Sequence, residues 1–331
     1  MKLRSLWQWI GLAALAALII FSRNRIGQVV MLLRHVHWYV LILFVAIQLL
    51  SYWFSAKYYQ SVFAVFGYKI ETKFLYVRAL TLNFVNQAFP SGGIAGTSYL
   101  SNSLGDRVPA GKTTLTQVMN YGFTVVSFLA VLAFGFLLLF LTGNLVQNSV
   151  RLILLFILFI IIFGVVVIII ISDRARTEQI CRNLIEVANR FSRKFLHRQR
   201  PVVTPEQLSR FVEEFYNGYE VMSEHSGHWR LPFLYSLGGN LTEVATVYVV
   251  FLAFGHLVNP GAVIAAYTMA NIVSLISPIT GGAGAYEATM IGTLVALGIP
   301  FSVSFPVVLV YRVINFALFL PVGYYYYRQT I

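Results

Sequence analysis

The sequence predicts an all-α, polytopic membrane helix bundle, and three observations carry that prediction. Apolar residues fill 58% of the 331 positions, charged residues only 11%, and the mean hydropathy is +0.74. A soluble domain is nearer 45–50% apolar and about 25% charged. The apolar residues also gather into runs long enough to cross a bilayer. Two shorter runs are broken by similar Pro/Gly clusters. This composition excludes a soluble enzyme, a disordered chain and a disulfide scaffold.

The elements follow in order. Residues 6–21, preceded by Lys2 and Arg4, read as a retained first span, because no small-x-small cleavage site follows them. Residues 38–54 form a second span, with Trp38, Tyr39, Tyr52 and Trp53 as interface anchors. Residues 57–78 are basic and aromatic and read as an interfacial stretch. The run at 79–89 is too short to span and ends at Pro90-Ser91-Gly92-Gly93; a second short run continues to residue 103. Full spans are expected at 114–141 and 152–171.

Residues 173–230 are the one long polar segment. The half from 173 to 200 holds eight Lys/Arg and three acids, and the half from 201 to 230 holds two Arg and five acids. Helical spacing of Ile180, Leu184, Val187, Phe191 and Phe195, and of Leu208, Phe211, Val212, Phe215, Tyr219 and Met222, predicts two amphipathic helices, at 174–199 and 205–226. Thr204-Pro205-Glu206-Gln207 marks the start of the second. Their opposite net charges suggest a hairpin, with the basic helix against anionic inner-leaflet lipid. The chain then returns to the membrane at 232–256. Short arms at 261–277 and 285–297 flank Pro278-Ile279-Thr280-Gly281-Gly282, and 303–327 spans again. Three units result: a membrane half at 1–172 with a hairpin at 79–104, a polar hairpin at 173–230, and a membrane half at 231–331 with a hairpin at 261–299.

The two interrupted segments match. Asn83 lies seven residues before Pro90, as Asn271 does before Pro278, and Gly92-Gly93 and Gly281-Gly282 follow within three residues of each proline. The alternative is two Gly-rich segments alike by chance. Loop charge adds a direction. Residues 173–230 carry ten Lys/Arg, whereas 142–150 and 257–260 carry none. Residues 173–230 and both termini are therefore expected in the cytoplasm, although Arg23, Arg25 and Arg34 in the 22–37 connection run against this bias. The first hairpin then enters from inside and the second from outside, the pattern of an inverted repeat with broken, re-entrant helices. The half-helix starts at 93–99 and 284–288 would turn N–H groups toward an anionic group such as phosphate.

Few ionisable residues interrupt the apolar runs. Glu243, Glu287 and Arg312 stand out, with Arg78 at the start of the first hairpin. A charge at mid-bilayer costs about 2.5–3.5 kcal/mol on insertion scales, so such residues are paired or line a cavity. Glu287 and Arg312 are the expected pair, either as an architectural tie or as walls of one polar cavity, with Glu243 along the same cavity or near an interface. Other motifs fail. Gly105 to Gly111 brackets five residues where a P-loop needs four. His35/His37 and His225/His228 lack acidic partners at metal-site spacing, Cys181 is the only cysteine, and no Ser-His-Asp arrangement can be argued. No metal or cofactor is expected. Without nucleic-acid motifs, the net charge of +12 reads as topogenic.

Pro278-Ile279-Thr280-Gly281-Gly282-Ala283-Gly284-Ala285-Tyr286-Glu287, then Leu297-Gly298-Ile299-Pro300 and Tyr311-Arg312, resembles the C-terminal signature of the lysylphosphatidylglycerol synthase transmembrane family, the flippase-like domain of multiple peptide resistance factor proteins. The stretch from Asn83 through Gly93 to Gly105 resembles that family's N-terminal half. The resemblance implies a plasma-membrane protein that moves a phospholipid or lipid-linked headgroup between leaflets. No soluble synthase domain is expected after Tyr327, which leaves the substrate open. The expected cavity is lined by Asn83, Pro90, Gly92, Gly93, Asn271, Pro278, Gly281, Gly282, Glu287, Arg312, Glu243 and Arg78. Two other readings stand beside transport. One is a membrane enzyme on a lipid-linked substrate with Glu287 as acid or base. The other is an assembly partner docking through 173–230. Homo-oligomerisation is left open.

Overall fold

The computed structural model describes residues 37–89, 93–142, 205–224, 226–276 and 284–330, with isolated positions between 158 and 183. The expected spans at 6–21 and 152–171, the loop at 142–150 beyond Thr142, most of the basic helix at 174–199, and Thr204 lie outside the described residues. So do Pro90, Gly92, Pro278, Gly281 and Gly282.

Among the described residues there are helices and no strand. They are α1 (Trp38–Val65), α2 (Thr72–Ala88), α3 (Ile94–Leu104), α4 (Ala110–Leu141), α5 (Pro205–Glu224), α6 (Arg230–Ala253), α7 (Pro260–Ile276), α8 (Ala285–Ala296) and α9 (Phe301–Thr330). The stretches Ala110–Leu141, Gly227–Ala253 and Phe301–Thr330 are long and apolar enough to cross a membrane. Their outer surfaces show apolar side chains such as Phe134, Leu137, Leu234, Leu241 and Leu318. Exposed side chains of this kind suit lipid, not water.

The interfacial stretch expected at 57–78 is a correction. Helix α1 runs on to Val65, and α2 begins at Thr72. Tyr58 and Tyr59, within that stretch, are buried. Tyr59 Oη donates to Gln117 Oε1 at 2.8 Å and Tyr58 Oη to the Thr116 carbonyl at 3.1 Å, locking the end of α1 to the start of α4. Lys57 stays at the surface, bonded to Gln60 Oε1 at 2.9 Å. One lysine on a long apolar stem does not stop a helix whose other faces bury aromatics.

Helix α4 is the axis of the bundle. At about 1.5 Å per residue it is about 48 Å long, against about 30 Å for the hydrocarbon core. Its N-terminal end receives α1 and α5. Its C-terminal end receives α7, where the Asn259 amide donates to Thr142 Oγ1 at 2.6 Å and Gly261 meets the Gly135 carbonyl. Helix α6 runs antiparallel to α1, from Gly238 against Phe54 to the His37 N–H on the Ala253 carbonyl at 2.9 Å. The C-terminal part of α9 lies on α2, with Gly323 against Phe84 and Leu80.

The two interrupted segments fold as antiparallel helix pairs. Gly96 on α3 faces Asn86 and Leu82 on α2, and Arg107 beyond α3 reaches the Phe74 ring near the start of α2. Helices α7 and α8 pair likewise, with Thr293 Oγ1 3.8 Å from Met269 Sδ. The open end of the first pair leads through the turn Gly105–Arg107 into the start of α4. The open end of the second pair meets the other end of α4.

Helix α5 has the predicted apolar stripe, but the stripe is buried on the bundle. Leu208, Val212, Phe215 and Met222 join the core formed with α1, α2, α3 and α4. Gly111 takes the close approach of Phe211 and Glu214, whose carboxylate accepts the Gly111 N–H at 3.0 Å. Of the basic segment, Arg174 lies 5.7 Å from the Tyr216 ring.

The α4–α7 crossing depends on two glycines. A Cβ on Gly135 would sit 2.7 Å from Ile264 Cγ2, and one on Gly261 would meet backbone. Gly135→Leu and Gly261→Leu should each destabilise the protein by about 1–3 kcal/mol, the usual cost of overpacking. Gly292→Leu, where no atom lies within 4 Å, should be neutral in the same detergent-unfolding measurement.

Candidate functional site

The polar residues inside the bundle converge where α1, α6, α7, α8 and α9 meet. Glu287 stands on the first turn of α8, just after the second break. Arg312 Nε donates to its Oε1 at 3.2 Å, and both side chains are nearly buried, at 12% and 10% exposure for Arg312 and Glu287. The guanidinium also lies over the rings of Tyr286 (4.3 Å) and Phe316 (4.7 Å). The two charges share a site because α8 and α9 are consecutive helices joined by a short turn.

Glu287 does a second task. Its Oε2 accepts the Gly284 N–H at 2.6 Å. Gly284 has φ 87°, a conformation that glycine reaches without strain. The start of α8 was expected to offer its N–H groups to an anion, and this is corrected in part: at Gly284 the protein's own carboxylate fills that place. Its negative charge there favours the helix start electrostatically. Gly93 has the equivalent conformation, φ 90°, before α3, and any side chain there would strike Tyr121.

Glu243 lies mid-helix on α6, with a shell that periodicity does not reveal. Its Oε1 accepts from Gln48 Nε2 and Ser51 Oγ, each at 2.7 Å. Its Oε2 faces the hydroxyls of Tyr311 at 3.4 Å and Tyr267 at 3.5 Å. Asn315 Nδ2 lies 3.5 Å from Gln48 Oε1. Tyr311 and Arg312 are neighbours on α9, so one helix supplies a partner to each of Glu243 and Glu287. One turn beyond Gln48 on α1, the Tyr52 hydroxyl accepts from Asn83 Nδ2 at 2.7 Å, and Asn83 Oδ1 accepts from Gln87 at 2.7 Å. Three groups of polar side chains are thus spaced between the start of α8 and the end of α2.

The remaining predicted residues separate. Asn271 bonds its own helix at the Tyr267 carbonyl (2.9 Å), so the matched asparagines Asn83 and Asn271 do different work. Arg78 stacks 3.7 Å over Phe74, which Arg107 shares at 4.6 Å, beside a cavity lined by Tyr68, Lys69, Ile70, Glu71, Phe74 and Arg107. Asn240, which with Leu241 and Thr242 spells an N-glycosylation sequon, donates to Ser127 Oγ at 2.7 Å inside the bundle. No cluster of metal-ligating side chains occurs among the described residues. The sequence reading missed Gln48, Ser51, Tyr267 and Tyr311, which look ordinary within apolar runs; Gln48 alone, a lone amide in a span, was a usable signal.

Among the described residues, several buried polar atoms lack a hydrogen-bond partner: Arg78 Nε, Asn86 Oδ1, Gln87 Oε1 and Tyr99 Oη around the first pair, and Tyr286 Oη beside Arg312. An unsatisfied buried polar group costs about 1–3 kcal/mol, so each calls for a partner such as water, an ion or a ligand.

Breaking the ion pair should show its depth. Arg312→Met should cost about 3–5 kcal/mol, because Glu287 is left buried and uncompensated. The double variant Glu287→Gln/Arg312→Met should recover part of that loss. Denaturant titration of the three variants in detergent measures the coupling, and additive effects would show that the pair does not interact.

Comparison with known proteins now adds a lineage. The family described as the lysylphosphatidylglycerol synthase TM region matches residues 8–323. A UPF0104 membrane protein of Methanocaldococcus jannaschii is 25% identical over 86% of this chain and 83% of its own. A UPF0104 membrane protein of Methanothermobacter thermautotrophicus is 30% identical over 38% of this chain, and the match spans 39% of that relative's length. No solved structure matches the chain.

Proposed function

The chain belongs to the lysylphosphatidylglycerol synthase transmembrane family, and from that premise we propose that it moves a phospholipid or lipid-linked headgroup between the leaflets of the cell membrane. One observation carries the reading: an otherwise apolar bundle holds a series of polar groups spaced between two helix breaks, with buried polar atoms that lack a partner among the described residues beside both. A lipid headgroup needs polar partners of this kind when it leaves water, while its tails stay in lipid.

In this reading α2–α3 and α7–α8 are the re-entrant hairpins of an inverted repeat, with Pro90, Gly92, Pro278, Gly281 and Gly282 at their tips. The first opens toward the cytoplasm, with residues 173–230 and both termini. Their open ends at opposite ends of α4 support that assignment. Arg78, Asn86, Gln87 and Tyr99 offer donors and acceptors to a headgroup at the first break, and Tyr286 does so at the second. Transport is favoured over chemistry at Glu287, because that carboxylate is held by Arg312 and the Gly284 N–H. It is favoured over docking through 173–230, because the apolar stripe of α5 is covered by the bundle.

Fluorescent phosphatidylglycerol in proteoliposomes, quenched from outside with dithionite, tests the proposal. Wild-type protein should expose inner-leaflet label faster than empty liposomes. Glu287→Gln should stay folded and slow the movement by about tenfold or more, a barrier change of about 1.4 kcal/mol. The charge-swapped double variant Glu287→Arg/Arg312→Glu should not restore it, because a phosphate would meet the wrong pattern of charge. Full transport by the swapped protein would reduce the pair to a structural tie.

A further inference from the structure

Glu243 has no role yet, although a carboxylate placed mid-helix in a spanning segment is expensive. Its environment differs from that of Glu287. No lysine, arginine or histidine pairs with Glu243 among the described residues, and its partners are all neutral. The titratable and charged groups facing its surroundings are Tyr52 from α1, Tyr267 from α7, Tyr286 from α8, and Tyr311 and Arg312 from α9. The cation of that set, Arg312, is bonded to Glu287.

The two carboxylate oxygens are also unequal. Oε1 takes two short bonds, at 2.7 Å, from an amide and a hydroxyl. The Gln48 amide presents its Nε2 donor to Oε1, and its own oxygen lies 3.5 Å from Asn315 Nδ2. Oε2 has only long hydroxyl contacts, at 3.4 and 3.5 Å. A tyrosine hydroxyl can donate or accept, so Tyr267 and Tyr311 can turn from donors to acceptors if Oε2 gains a hydrogen. The site thus holds a carboxylate on one oxygen and leaves the other able to bind a proton without stranding a neighbour.

We propose that Glu243 is a proton-binding site that couples lipid movement to the proton gradient across the membrane. A hydronium ion gives its proton to Oε2 and leaves as water; the carboxylate becomes a neutral acid, and a water molecule removes the proton in the reverse step. The change reaches the second hairpin directly, because Tyr267 stands on α7, its first arm. It reaches the first break through α1, where Gln48 and Tyr52 are one turn apart and Tyr52 holds Asn83. The coupling rests on the transport reading, whereas the proton site does not.

Two measurements on the full chain separate these claims. In infrared difference spectra of protein in phosphatidylglycerol–phosphatidylcholine vesicles, a deuterium-sensitive protonated-carboxyl band should grow as the pH falls. Glu243→Gln should abolish it and Glu287→Gln should keep it. Tyr311→Phe, which keeps the carboxyl, should shift its frequency, an effect that a purely structural role for the tyrosine would not produce. Spectra of Glu243→Gln identical to wild type would overturn the site. In the fluorescent-lipid assay, reversing a pH gradient should change the wild-type rate several-fold and leave Glu243→Gln indifferent. A wild type that moves lipid equally under both gradients would overturn the coupling. Absence of lipid movement under every gradient would count against the transport reading, while the carboxyl band would still uphold the proton site.

Discussion

Hydrocarbon offers no hydrogen-bond partner, and that constraint orders this structure. Every polar group carried into the bilayer must be satisfied within the protein, at a cost of several kcal/mol for each that is not. A helix meets the demand for its own backbone. Two interrupted helix pairs do not, so their breaks must lie against protein or a wet cavity. The placement of the polar side chains follows from this. Glu287 caps the start of α8, Arg312 answers Glu287, and Asn83 and Tyr52 answer each other near the end of α2.

The same constraint explains the helix crossings. Association in lipid gains little from hiding apolar surface, so close packing and internal hydrogen bonds carry more of it. Gly135 and Gly261 bring α4 and α7 to backbone distance, and Gly323 does this for α9 and α2. Gln117 and Ser127 on α4 take bonds from α1 and α6. The longest helix is thus tied by both means at both ends, which places the open ends of the two hairpins far apart.

Much of this was legible in the sequence, for physical reasons that vary by residue. Glu287 and Arg312 could be paired on paper because each is a lone charge in an apolar run, and a short turn returns the chain upon itself. The limits of α3 and α8 followed from glycines that need positive φ. The length of α1 was not legible, since Lys57, Tyr58 and Tyr59 read as an interface until α4 is present to bury the tyrosines. The shell of Glu243 was hidden because its members come from α1, α7 and α9, and no local pattern links them. The matched asparagines misled in part. Asn271 bonds its own backbone while Asn83 reaches Tyr52 on another helix, so matched residues do not share one chemistry.

The central claim is that the two hairpins open to opposite faces of the membrane. Sidedness of labelling tests it most directly. With Cys181 replaced by serine, single cysteines at Lys69, beside the open end of the first pair, and at Leu257, 86% exposed beside the second, can be probed with a membrane-impermeant maleimide in sealed, oriented vesicles. The account predicts that the two sites label from opposite faces. Labelling of both from the same face would contradict it.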